Sequence, residues 1–229
     1  MKPRVVALGD AALTLELGDR IDPELHARVM AAHAALPALA GITDVVPSYC
    51  SLTVHFDPLQ LTHETLESEL RAAAEKPMEK SVLAVCNAPQ RARRCEIPVC
   101  FGGDFGPDLA TVASTTGRSE QHIIDALCAL ELRVFLIGFL PGFPYLGQLP
   151  EWLRLPRLAT PRTAVPANSV AIAGAQAAVY PWQSPGGWHL LGRTPLCLFD
   201  ARNTARPALL APGDTVSFRA ITAADYDAA

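Results

Sequence analysis

Positive charge is scarce in this sequence. Its 229 residues carry 19 Lys and Arg against 23 Asp and Glu, a formal net charge of −4. The longest basic cluster is "RARR" at residues 91–94. Proteins that bind nucleic acid need a basic patch or stripe to replace counterions, and no such footprint is present. "RARR" reads as a solvated linker edge. Long apolar runs are missing too. No window approaches the roughly 18 apolar residues of a membrane-spanning helix, and "MKPRVVALGDAALTLELG" returns to charge too early for a secretion signal. Nucleic acid and membrane are therefore not expected partners. The 6 cysteines, Cys50, Cys86, Cys95, Cys100, Cys128 and Cys197, form no CxxC pair, and most lie in apolar runs. Reduced, buried thiols in a cytoplasmic protein are expected. The 6 histidines show no HExxH or other ligand spacing, so no metal is expected.

Recognisable catalytic frames are absent as well. There is no GxxxxGK[ST], and "GGDFG" at residues 102–106 has neither the spacing nor the lysine of a phosphate-binding loop. No GxSxG elbow presents a serine nucleophile, and there is no internal repeat or low-complexity tract.

What the chain does have is apolar mass, at 50% hydrophobic residues. A chain of this length suits one large domain or two small ones and buries roughly 70% of its unfolded surface. "RVVAL" and "ALTLEL" flank Gly9-Asp10 and predict a hairpin. Asp22 caps a helix that has Pro23 at its first position and Leu25, Val29, Ala32 and Leu36 on one face. "DVVPSYCSLTVHF" has strand character, and Thr62 opens a second helix with Leu66 and Leu70 on one side. This order predicts an α+β N-terminal domain of ferredoxin-like type over residues 1–88, with "NAPQRARR" as linker.

Beyond the linker "CEIPVCF" reads as a strand, Ser119 as the cap of a helix through Ile123, Ile124 and Leu127, and "RVFLIGF" as a buried strand. From Leu140 onward, short apolar runs alternate with proline and glycine: "SVAIAG", "AAVYPW", "WHLLG", "PLCLFD", "TVSFRA". Many short strands joined by tight turns predict a mostly-β barrel domain over residues 89–229.

Three stiff segments offer directional groups. "GFLPGFPYLGQLP" presents Phe139, Phe143 and Tyr145, either as a pocket wall or as aromatics of a barrel-capping loop. "PRLATPRTAVP" holds Arg157 and Arg162 between prolines, with Thr160 and Thr163 nearby. Arginine's planar fork suits a carboxylate or phosphate, although arginines more commonly sit in surface ion pairs worth only about 0–1 kcal/mol. In "SPGGWHLLGRTP" a Pro-Gly-Gly corner precedes Trp188 and His189, and Arg193-Thr194 ends a strand. Arg193 there could grip an anion. His189 is either an acid–base group or a half-buried ring beside Trp188.

Read together, "IPVCFGGDFGPDL", "GFLPGFPYLG", "PRLATPRTAVPANSVAIAG", "SPGGWHLLGRTPLCLFD" and "PALLAPGDTVSF" closely resemble the family of 5-oxoprolinase B-type subunits, also described as KipI-like and as allophanate hydrolase subunit 1. The resemblance implies a small α+β domain followed by a cyclophilin-like barrel. It implies a homologous C-type subunit and an A-type subunit as partners, and ATP (with Mg) acting in the complex to open the lactam of 5-oxo-L-proline to L-glutamate. The isolated chain would then be inert. Under this resemblance Arg193 and His189 become the catalytic candidates. Arg162, Thr163, Thr194, Gln176, Tyr180 and Phe143 become the candidates for binding the cyclic amide or its anionic group. Two departures from the family pattern stand out: Gln176-Ala177-Ala178 replaces glutamine-threonine-glycine, and Leu127 stands where the family often has a histidine. Two other roles occur among similar proteins, inhibition of a sensor histidine kinase and accessory work in an allophanate- or urea-processing system. For the latter, no biotin-type lysine and no amidase serine-lysine frame is present.

Overall fold

The computed structural model describes residues 2–75 and 93–229. The expected boundary at 88/89, most of the linker and Cys86 lie outside them. The chain divides into two compact units, Met1–Ala92 and Arg93–Ala229.

In the first unit β1 (Arg4–Ala7) and β2 (Ala12–Glu16) form the predicted hairpin. Gly9 turns it with φ 70°, a left-handed conformation that glycine adopts at no steric cost. Asp22 caps α1 (Pro23–Ala35): its Oδ1 accepts from the backbone N–H of Glu24 at 2.8 Å and of Leu25 at 3.2 Å. The run "DVVPSYCSLTVHF", expected to have strand character, lies in two strands, β3 (Ile42–Pro47) and β4 (Ser51–Phe56), folded back by a Ser48 N–H bond to Ser51 O. Thr62 Oγ1 then accepts from Thr65 N–H at the start of α2 (His63–Glu75). The sheet order is β1-β2-β4-β3, all antiparallel. Leu13, Leu15, Leu52, Val54 and Phe56 pack there with Val29 and Ala32 of α1 and Leu66 and Leu70 of α2. The unit is thus an α+β sandwich. Its described elements run β-β-α-β-β-α, so they do not carry the finer ferredoxin-like label.

The second unit is a closed barrel. Its strands are β5 (Arg94–Phe101), β6 (Leu132–Ile137), β7 (Pro144–Gly147), β9 (Ser169–Ala173), β10 (Gln176–Val179), β12 (His189–Arg193) and β13 (Thr215–Ala220), in the order β10-β7-β6-β13-β5-β12-β9. β5 and β13 pair in parallel, with Arg94 opposite Thr215. Alternation along the strands sorts the side chains into two clusters. Val170, Ile172, Ala177, Val179 and Leu191 join Ile97, Val134, Leu146 and Phe218 in a core to which every barrel strand contributes. The intervening Ala171, Ala173, Ala178, Tyr180 and Leu190 face the other way and pack with Phe143, Trp188 and Val165. Val165 belongs to β8 (Arg162–Val165), which pairs only with β11 (Ser184–Gly186) in a separate two-stranded ribbon. Two helices join β5 to β6: α3 (Leu109–Thr116), which the sequence pattern does not predict, and α4 (Glu120–Ala129), capped by Ser119 as predicted. A short α5 (Ala223–Asp227) follows β13. "PLCLFD" contributes only a single bridge, Phe199 to Ala208.

Candidate functional site

The loop "GGDFGPD", residues 102–108, is laid along β12. Gly102 N–H donates to Leu191 O and Asp108 N–H to Leu190 O, both at 3.0 Å. Gly106 makes this approach possible, because a Cβ there would run into the Leu191 carbonyl. The ribbon strand β8 approaches the same loop, and between them lies a cavity of about 230 Å³. Its lining includes Asp104, Phe105, Arg162, Ser169, Leu190 and Arg193. Pockets that take drug-sized molecules run from about 300 Å³ upward, so this space suits a small metabolite or one end of a larger ligand.

Two of the predicted residues, Arg162 and Arg193, therefore meet in one cavity although they come from different sheets. Their electrostatic situations differ. Arg162 Nη2 donates to Asp108 Oδ1 at 2.6 Å, and its Nη1 is buried without a hydrogen-bond partner among the described residues. Arg193 is half-buried and makes no ion pair among the described residues. With Asp108 set against Arg162, Arg193 is the guanidinium of the lining left unpaired among the described residues, and the lining also holds the solvent-exposed carboxylate of Asp104.

The other predicted residues do not line this cavity. Thr194 is fully buried, and its Oγ1 accepts from Leu196 N–H at 3.2 Å, so the hydroxyl closes a turn. Thr163 sits on β8 beside Arg162 and is exposed, as strand alternation requires of a neighbour on the opposite face. His189 is half-buried; its Nε2 lies 2.9 Å from Pro156 O, which assigns the proton to Nε2 and leaves Nδ1 buried without a partner among the described residues. Gln176 begins β10 opposite Gly147. Tyr180 and Phe143 belong to the aromatic cluster, with ring centroids 5.0 Å apart, edge to face. Burial pushes the Tyr180 phenol up to about 12. Its ring lies against Gly186 so closely that a Cβ there would strike the hydroxyl.

The two family departures also fall away from the cavity. Ala177 is in the barrel core, Ala178 in the aromatic cluster with Tyr180 and Phe143, and Leu127 in the packing of α4, all fully buried. None of these positions lines the cavity. Asp104, Phe105, Ser169 and Leu190 of the lining, and Asp108 behind Arg162, are among the residues of the site that sequence reasoning missed. The signal available was the twin Gly102-Gly103, both with positive φ, followed by Gly106 in the same loop. Among the described residues no cluster of three or more His, Cys, Asp or Glu could hold a metal ion, and no helix is long and apolar enough to cross a membrane.

Residues 3–210 match the family model described as carboxyltransferase domain, subdomain C and D. The chain is 37% identical over 230 residues to the B-type subunit of 5-oxoprolinase from Bacillus subtilis, covering 98% of this chain and 95% of that protein. It is 39% identical to the corresponding 5-oxoprolinase subunit of Haemophilus influenzae, covering 93% and 96%. The crystal structure of TTHA0988 in space group P212121 aligns with a TM-score of 0.78 at 37% identity, covering 92% of this chain and 40% of that one. This chain thus spans less than half of that longer chain.

Proposed function

Because this chain belongs to the family of 5-oxoprolinase B-type subunits, we propose that it works as that subunit in an ATP-dependent 5-oxoprolinase. With A-type and C-type subunits it would open the lactam of 5-oxo-L-proline to L-glutamate. The observation that carries this reading is identity of 37–39% with curated B-type subunits over at least 93% of the chain. The cavity agrees with it in chemistry. 5-Oxo-L-proline is a small monoanion, and the cavity is small, with two guanidinium groups of which one is already paired. Arg193, with Arg162 beside it in the lining, would take the carboxylate through charge-assisted hydrogen bonds worth about 1.5–3 kcal/mol each.

The cavity is too small to enclose a nucleotide, and the glycine loop beside it has neither the spacing nor the lysine of a phosphate-binding loop. ATP is therefore assigned to the assembled complex, where it supplies activation of the amide, and these residues are assigned to the substrate's anionic end. His189, held by Pro156 O outside the cavity, is not given an acid–base role. The kinase-inhibitor reading loses its one supporting feature, since Ala177 lies in the barrel core instead of the cavity.

The test is ADP and glutamate formation by this chain, its C-type partner, and both with the A-type subunit, with and without 5-oxo-L-proline. The expected result is substrate-dependent product from the complete set alone. Silence of every mixture, with the chain alone slowing a histidine kinase's autophosphorylation, would replace this reading. In the active set Arg193→Ala should lower turnover at least about a hundredfold, two charge-assisted bonds' worth, while leaving the circular dichroism spectrum unchanged.

A further inference from the structure

Asp108 stands at the N-cap of α3 but does not cap it. An N-cap aspartate ordinarily accepts from the N–H groups of the first helical turn. Here its backbone is in the helical region, φ −97° and ψ −5°, and its side chain makes no capping bond. The carboxylate is used elsewhere. Oδ2 accepts from the buried Leu190 N–H at 2.7 Å, and Oδ1 from Arg162 Nη2 at 2.6 Å. Through one side chain, three segments distant in sequence are joined: the glycine loop, the ribbon strand β8, and β12 just before its irregularity between Leu190 and Gly192. Arg193 lies at the end of that same strand.

From this we infer that Asp108 is the positioning residue of the anion cavity. It fixes the guanidinium of Arg162 in one orientation, with Nη1 held in the buried interior, and it offsets the charge of Arg162 so that Arg193 is the one guanidinium of the lining without a carboxylate bonded to it among the described residues; Asp104, the other charged group of the lining, is exposed to solvent. The carboxylate leaves that helix end uncapped and instead holds the buried Leu190 N–H and an arginine that lines the cavity. The ligand class that follows is a small monoanion such as a monocarboxylate, in preference to a dianionic phosphate. The inference rests on the anion-site reading above and adds the residue that sets its aim and charge.

The experiment is nuclear magnetic resonance of the full chain with labelled arginine side chains, titrated separately with 5-oxo-L-proline, acetate and inorganic phosphate. It compares wild type with Asp108→Asn, Asp108→Glu, Arg162→Met and the double variant Asp108→Asn/Arg162→Met. Asparagine retains an acceptor for Leu190 N–H and removes the charge. We expect the carboxylates to shift the Arg162 and Arg193 signals in wild type and to bind more tightly than phosphate. Asp108→Asn should weaken carboxylate binding about tenfold and narrow or reverse the preference over phosphate. The double variant should be no weaker than Arg162→Met alone, because Asp108 acts through Arg162.

Unchanged carboxylate affinity in Asp108→Asn, or losses that simply add in the double variant, would overturn the positioning role while leaving the anion site in place. Acetate binding with the expected pattern but no response to 5-oxo-L-proline would sink the lactam reading and uphold Asp108. No arginine shift with any of the three probes overturns both. Should Asp108→Asn fail to fold, Asp108→Glu answers the same question, since it keeps the charge but displaces it by one methylene and should lose affinity while keeping the carboxylate preference.

Discussion

Arg162 and Arg193 are chemically the same residue in two different states, and the difference comes from their neighbours. One is bonded to a carboxylate that is itself only 11% exposed, the other has no such partner. Removing the partner of a partly buried charge leaves the remaining charge poorly solvated. Arg162→Met should consequently destabilise the fold by about 1–3 kcal/mol through Asp108, whereas Arg193→Ala should change stability by less than about 0.5 kcal/mol. Urea unfolding of both variants measures the contrast. Tyr180 gives a second residue-scale expectation. It is 1% exposed, and burial raises its phenol to about 12. An unfolded tyrosine ionises near pH 10, so the unfolded state loses its proton first as pH rises. The stability that Tyr180 contributes is complete below about pH 10 and is lost as pH climbs toward 12, by about 2–3 kcal/mol in all. Alkaline unfolding titrations should show that decline, and Tyr180→Phe should reduce its slope. It will not abolish the slope, because burial raises the Tyr145 phenol as well.

At the scale of elements, the glycine loop is the one whose geometry the site depends on most. Gly106 is required by space and not by its dihedral angles, since the Leu191 carbonyl occupies the position a methyl would take. Gly106→Ala must lift the loop off β12. It should cost about 1–3 kcal/mol or more and weaken anion binding together with stability. How far elements could be read from sequence follows the range of their determinants. The hairpin at Gly9 and the helices capped by Asp22 and Ser119 were legible because turn and cap residues act within a few positions. α3 escaped notice because "LATVASTT" is rich in β-branched residues, which favour a helix weakly. The ribbon of β8 and β11 was not legible at all as a separate sheet. Its pairing of Val165 with Ser184 is a tertiary choice that local propensity does not record. The same holds for the site. Both arginines could be singled out by their stiff surroundings, but Asp108 is 54 residues from Arg162 and 82 from Leu190 in sequence.

Across the whole molecule, the two units have separate apolar interiors, one shared by four strands and two helices, the other filled by every strand of the barrel. A unit with its own core folds without its neighbour. The segment 93–229 produced alone should unfold cooperatively, and its carboxylate affinity should match that of the full chain within about threefold, since every residue lining the cavity belongs to it. A noncooperative transition in that segment would contradict the division. The order of the barrel strands bears on how the protein is made. The first strand, β5, and the last, β13, lie side by side, and the clamp next to them joins Arg93 to Asp214 across 121 residues of sequence. Loop closure over such a span must be met before the contact gives anything back. On the ribosome, β5 emerges first of the barrel strands and keeps an unpaired edge until β13, the last of them, has been synthesised. Barrel closure therefore waits on its final strand. During that interval the nascent chain presents an open sheet, the state in which strand edges seek foreign partners and chaperones have most to protect.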